Sequence, residues 1–146
     1  MSEIYNIIIR YFYIGNFKYA PGTVTSLFIL FVWFFIPNIP LAQLSVLFLH
    51  IILGFYFCYL FSIQNNRDHD PSFIVIDEVV GMMIGLYLIP KSFIAYLLAF
   101  ILFRFFDILK PSIIYRSQNL KFGTGIMMDD IISGILTLLI VMGILY

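Results

Sequence analysis

The sequence predicts an all-α, membrane-embedded helical bundle, and three observations carry that reading. Of its 146 residues, 62% are hydrophobic and only 11% are charged, against roughly 45–50% apolar and about 25% charged in an ordinary globular domain. No charged residue occurs between Lys18 and Arg67. The remaining apolar runs are cut by prolines at intervals close to the about 20 residues, at about 1.5 Å each, that a helix needs to cross a bilayer. The length suits one domain, 1–146.

Each element follows in order. Residues 1–18 set Glu3, Arg10 and Lys18 among Ile and Tyr, a pattern for an interfacial amphipathic helix. The charge-free run after it is too long for a signal-peptide core and is split by Pro37 and Pro40. It therefore predicts a hairpin of two helices, 24–36 and 41–63. A third helix, 72–89, lies between Pro71 and Pro90, and a fourth, 92–109, ends before Pro111 because the residue preceding a proline avoids helical angles. A fifth, 131–146, closes the chain. About five membrane-embedded helices result. The first and last are short for a full span and suit partial or re-entrant helices.

If all five cross, Arg10, Lys18, Arg67, Lys110, Arg116 and Lys121 share one side, and only Lys91 falls on the other. Basic residues mark the cytoplasmic side, so the N-terminus is expected inside and the C-terminus outside. The formal net charge is zero, which gives nucleic acid no field to follow. Cys58 is the single cysteine, which excludes an internal disulfide and a cysteine zinc site.

The few charges left inside apolar segments carry the chemistry. Asp77 and Glu78 stand near the start of the third helix. Arg104, Asp107 and Lys110 step by three along the fourth, which keeps them on one face. Asp129 and Asp130 stand at the mouth of the fifth. All fall at one shallow level near the cytoplasmic side, and intramembrane charge, at about 2.5–3.5 kcal/mol per residue near the centre, is expected to face the bundle interior. Gly81 and Gly85, four apart beside the Asp-Glu pair, suit close helix approach. Asp130, Ser133, Gly134 and Thr137 form a similar face on the last helix.

Simpler roles compete. Asp129 or Asp130 alone suits a helix N-cap, as does Asp70 before Pro71. Arg104 with Asp107 suits a structural ion pair, and His50 a neutral hydrogen-bonded residue. His69 suits a plain loop or a site edge. The adjacent acids Asp77 and Glu78 fit such roles least, because they repel each other unless a proton or cation intervenes.

Carboxylates without a His or Cys cluster favour a hard cation, ordinarily Mg²⁺, shared with a substrate phosphate. Arg104, Lys110 and Lys121 supply positive charge for that phosphate. "APGTVTS" adds Gly22 for close backbone approach and Thr23 as a cap whose helix start also favours an anion, though an ordinary Pro-Gly turn fits too. The two glycines of "KFGTG" let the backbone bend close to a ligand. Together these suggest phosphoryl chemistry on a lipid by metal-activated water.

Other routes fit less well. Cys58 lacks the arginine of a cysteine-phosphatase loop, and "DHDPS" at 68–72 follows polar residues where an aspartyl-phosphate motif follows a hydrophobic strand. "MMDDIISG" lacks the aspartate spacing of CDP-alcohol transferases. A small ion-coupled transporter with buried carboxylates is the alternative from another class. It expects charges near mid-membrane with access from both faces.

Four blocks, "APGTVTSL" (20–27), "DPSFIVIDEVVGMMI" (70–84), "FRFFDILKP" (103–111) and "GTGIMMDDIISG" (123–134), occur in the order of the phosphatidylglycerophosphatase A family, which the chain resembles over most of its length. Thr25, Ile76 and Ser112-Ile113 depart from that family's pattern. None is a charged site residue. The resemblance implies a small, helical, Mg²⁺-dependent enzyme in the bacterial inner membrane. Such an enzyme removes the terminal phosphate of phosphatidylglycerophosphate on the cytoplasmic face. By position it implies Asp77, Glu78, Asp129 and Asp130 as metal ligands, and Arg104 and Lys110 as phosphate clamps. By the same resemblance Asp107 would orient Arg104 or join the metal shell, and Asp130 or Glu78 would take the proton of the attacking water, unless one of these carboxylates is itself the nucleophile.

Overall fold

A computed structural model describes residues 3–65 and 71–146. The expectations placed on Arg67, His69, Asp70 and the start of "DHDPS" lie outside the described residues. Among the described residues the chain is wholly helical, without strands. The α-helices are α1 (Glu3–Ile9), α2 (Pro21–Phe35), α3 (Pro40–Asn65), α4 (Ile76–Leu86), α5 (Phe93–Leu109), α6 (Ser112–Ser117) and α7 (Thr124–Leu145), with a 3₁₀ turn at Ile14–Asn16.

Two of these helices, α3 and α7, are long and apolar enough to cross a membrane. Helix α2 is apolar but shorter. Among the described residues the all-α expectation holds with two helices of spanning length, and the last helix, expected to be short, is one of them. Helix α4 has 11 residues, about 16 Å at the usual helical rise. The expected helix over 72–89 is shorter at both ends. Residues 71–75 run outside the helix because the Val75 N–H bonds to the Ile9 carbonyl, 3.0 Å away. At the other end Tyr87 is extended and Leu88 is left-handed at φ 59°.

The N-terminal segment also differs from an interfacial helix over 1–18. Helix α1 covers only seven residues and buries Tyr5 and Ile9. The chain then turns through Tyr11, Phe12 and Tyr13, all at positive φ. Arg10 bonds Asn16 and lies over the Phe73 ring at 4.5 Å. Those contacts pull the segment into the fold.

The bundle buries its polar side chains beside an apolar core and is apolar outside. Phe31, Phe48, Ile101 and Leu139 are more than half exposed, while Thr25, Ser26, Asp77, Asp129, Asp130, Ser133 and Thr137 are buried. Contiguous apolar exterior on this scale belongs against lipid. Several buried hydroxyls are satisfied within their own helices: Ser26 donates to the Gly22 carbonyl at 2.9 Å, and Ser133 to that of Asp129 at 2.8 Å. On the far side from the acids, Lys91 donates to the Phe34 and Ile36 carbonyls at 2.6 and 2.5 Å, capping α2. His50 is hydrogen-bonded at both ring nitrogens, to Val46 O at 2.8 Å and to the Tyr11 hydroxyl at 3.2 Å.

Helices α4 and α7 touch backbone to backbone. A Cβ on Gly81 would lie 2.6 Å from the Asp130 carbonyl oxygen, and one on Gly134 would overlap the Gly81 carbonyl oxygen. Close approach without side chains is how membrane helices gain packing. Gly134→Ala is expected to destabilise by about 1–3 kcal/mol, the usual cost of overpacking. Lowered thermal unfolding in detergent checks this, and an unchanged midpoint would contradict the contact.

Candidate active site

The site is assembled where four segments meet. Helix α4 begins at Ile76, so Asp77 and Glu78 occupy its first turn, where the helix dipole favours negative charge. The glycine contact between α4 and α7 brings Asp130 beside them. One carboxylate oxygen from each of Asp77, Glu78 and Asp130 lies within 4.8 Å of the others. Asp77 and Asp130 are 1% and 2% exposed.

Helix α2 closes the cluster with its first turn. Ala20 is its left-handed cap and Pro21 opens it, which puts Gly22 against the acids. A Cβ there would overlap Glu78 Oε1, with Glu78 Cδ at 2.9 Å and Arg104 Nη1 at 3.1 Å. Thr23 sits inside that turn and not at its cap. Helix α5 contributes Arg104, paired with Asp107 at 2.5 Å, one turn on. Asp107 is in turn an electrostatic neighbour of Asp130.

Asp129 lies one residue from Asp130 but points elsewhere. Its Oδ2 accepts from Lys110 Nζ at 2.7 Å and from Gln118 Nε2 at 2.9 Å, and its Oδ1 from the Asp130 N–H at 3.0 Å. Burial alone would lower the pKa of the Lys110 ammonium. The bonded Asp129 and the nearby Asp130 and Asp107 carboxylates hold it above the ordinary lysine value. Neither Asp129 nor Asp130 caps a helix, because α7 starts at Thr124 behind a left-handed Gly123.

Lys121 lies exposed on the turn before α7, and among the described residues no contact ties its side chain to the acids. The glycines of "KFGTG" approach backbone and not a ligand: a Cβ on Gly123 would overlap the Cys58 carbonyl, and one on Gly125 would stand 2.5 Å from that of Gln118. Gln118 went unread in the sequence. No motif or spacing marks it, and only the fold of α6 onto α7 brings it to Asp129.

The donor set fits a divalent cation. Asp77, Glu78, Asp107 and Asp130 crowd one region, with Arg104 and Lys110 as the nearby cations. Such an excess of negative charge in an apolar interior requires a bound cation or protons. Glu78 Oε2 is buried without a hydrogen-bond partner among the described residues, and buried polar atoms are rarely left so. All-oxygen ligands suit Mg²⁺ or a similar hard ion.

A family model described as phosphatidylglycerophosphatase A matches residues 7–145. The phosphatidylglycerophosphatase A of Escherichia coli K12 is 34% identical over an alignment covering 100% of this chain and 84% of that protein. That of Haemophilus influenzae is 44% identical over 65% of this chain and 59% of its own length. A Bacteroides thetaiotaomicron protein is 32% identical over 87% of this chain and 84% of its own. It bears the provisional name phosphatidylinositol-3-phosphatase. No solved structure matches the chain.

Proposed function

Because the chain belongs to the phosphatidylglycerophosphatase A family, we propose that it hydrolyses the terminal phosphate of phosphatidylglycerophosphate in a Mg²⁺-dependent reaction, releasing phosphatidylglycerol and inorganic phosphate. The observation that carries this is the buried meeting of Asp77, Glu78 and Asp130 within 4.8 Å. Gly22 and Arg104 lie directly against Glu78. The same membership makes the protein a phosphoric monoester hydrolase and lends the transporter alternative no support.

Asp77, Glu78 and Asp130 would hold the cation, which when bound polarises the phosphoryl group and lowers the pKa of water. Arg104 is the nearest fixed positive charge and would bind phosphate oxygens through the guanidinium donors not engaged by Asp107. Asp107 holds the Arg104 side chain in place. Lys110 supplies a second cation at the rim. The bare Cα of Gly22 leaves room for an oxygen beside Glu78. Glu78 or Asp130 would take the proton of the attacking water. Thr23 belongs to the same turn and would line the phosphate. Lys121, on the exposed turn, would meet the headgroup and not the reacting phosphate.

The substrate is a lipid, so the apolar exterior would sit in the bilayer. Lys110, Arg116 and Lys121 lie beyond the acid-bearing ends of α5 and α7, and Lys91 at the opposite end. Basic residues at that end would place the site at the cytoplasmic face of the bacterial inner membrane.

Purified protein in detergent is expected to release phosphate from phosphatidylglycerophosphate with Mg²⁺ and not after chelation. Undiminished release in chelator would sink the metal assignment. The name of the Bacteroides relative favours a second headgroup, so phosphatidylinositol 3-phosphate belongs in the same assay. Faster release from it would move the substrate and leave the chemistry in place.

A further inference from the structure

We infer that Asp129 and Gln118 form a positioning pair for Lys110, turning its ammonium toward the substrate's phosphomonoester, and that Asp129 is not a fourth metal carboxylate. The inference rests on reading the neighbouring acids as a phosphomonoester hydrolase site.

Asp129 already has three donors on its two oxygens: Lys110, Gln118 and the Asp130 N–H. A carboxylate offers about four lone-pair sites, so little of this one is left for a cation. The Asp130 N–H also fixes the Asp129 rotamer against its own backbone. It thereby turns the two neighbouring acids apart, Asp130 to the cluster and Asp129 to Lys110.

Lys110 is held unusually for a lysine. It caps α5 in the left-handed region at φ 43°, its N–H bonded to Phe106 O, a conformation that non-glycine residues adopt only at a cost. Strain of that kind persists where surrounding contacts over-determine it, and here Asp129 grips the side chain. The ammonium has three N–H donors. Asp129 takes one at 2.7 Å, and the side chain stays one-quarter exposed, so the others remain for a ligand. Asp130 and Asp107 are both electrostatic neighbours of Lys110, which places it at the edge of the acid cluster.

Gln118 is fixed from its own side. It ends α6, and Gly125 lets α7 close on its carbonyl. Its amide neutralises no charge, so its contribution is to hold the Asp129 carboxylate in the orientation that Lys110 meets.

The test compares wild type with Gln118→Ala and Asp129→Asn, reading KM and kcat for phosphatidylglycerophosphate in detergent and Mn²⁺ affinity by electron paramagnetic resonance. Both variants are expected to raise KM about tenfold while kcat falls less than about threefold, the loss of one charge-assisted contact in substrate binding. Mn²⁺ affinity is expected to stay within about twofold, whereas Asp130→Asn lowers it strongly. Weakened Mn²⁺ binding in Asp129→Asn comparable to that in Asp130→Asn would overturn the inference. So would an unmoved KM in Gln118→Ala, which tests the pair even if Asp129→Asn fails to fold. A wild-type protein that released no phosphate or bound no Mn²⁺ would instead overturn the functional reading beneath it.

Discussion

Asp130→Asn is expected to lower kcat for phosphate release by on the order of 10²–10³-fold, the range seen when one preorganised electrostatic group is removed from an active site. The substitution keeps shape and volume and removes a charge. Asp130 is 2% exposed and its backbone carbonyl packs on Gly81, which holds it in place on α7. Its stability has a definite sign. Without metal, Asp130 lies among Asp77, Glu78, Asp107 and Asp129, with Arg104 and Lys110 as the nearby counter-charges. Removing one like charge relieves repulsion. In chelator the variant should therefore unfold at the same temperature as wild type or higher. On adding Mg²⁺ wild type should gain stability by mass action, and the variant should gain far less. Thermal unfolding in detergent, with and without Mg²⁺, reads both differences. A variant with wild-type turnover, or one stabilised by Mg²⁺ as much as wild type, would remove Asp130 from the site.

That prediction depends on a residue the sequence placed only in part. The acids were legible as unusual because an apolar chain has so few charges, and spacing put Asp77, Glu78 and Asp130 near one depth. The last helix was misjudged for the same reason. Two adjacent aspartates look like a boundary, yet α7 begins at Thr124. Buried Ile126 and Met127 extend its packing face, and Met127 reaches the bare Cα of Gly54 on α3. Helix α3 was read to within two residues at each end, since Pro40 opens it and no charge interrupts it. Helix α4 was overextended because Pro71 looked like a start, while the segment after it is held off helix by Ile9, some 66 residues away in sequence. Contacts of that kind have no local signature. The division of Asp129 from Asp130 was invisible for a related reason: neighbours on a helix point about 100° apart, and which one meets Lys110 depends on how α5, α6 and α7 pack.

Gly22→Ala is expected to cost about 10²-fold or more in kcat/KM, although it adds one methyl group outside the acid cluster. The new Cβ would overlap Glu78 Oε1 and come within 2.9 Å of Glu78 Cδ and 3.1 Å of Arg104 Nη1. Ordinarily a flexible side-chain end yields to such a contact. Here the end that must yield is a carboxylate already confined with Asp77 and Asp130, and the atom behind it belongs to the guanidinium paired with Asp107. Helix α2 cannot retreat easily, because Ile29 and Trp33 are fully buried below it and the Trp33 indole N–H bonds the Leu86 carbonyl of α4. Glu78 must therefore move by an ångström or so. A misplacement of about 1 Å in a reacting constellation costs on the order of 10²-fold. Gly143→Ala is the control, since a Cβ there meets nothing within 4 Å and alanine is the better helix former by about 1 kcal/mol. It should leave activity unchanged. Steady-state phosphate release by the two variants decides the matter: near-wild-type turnover in Gly22→Ala would mean that the first turn of α2 does not bound the reacting site.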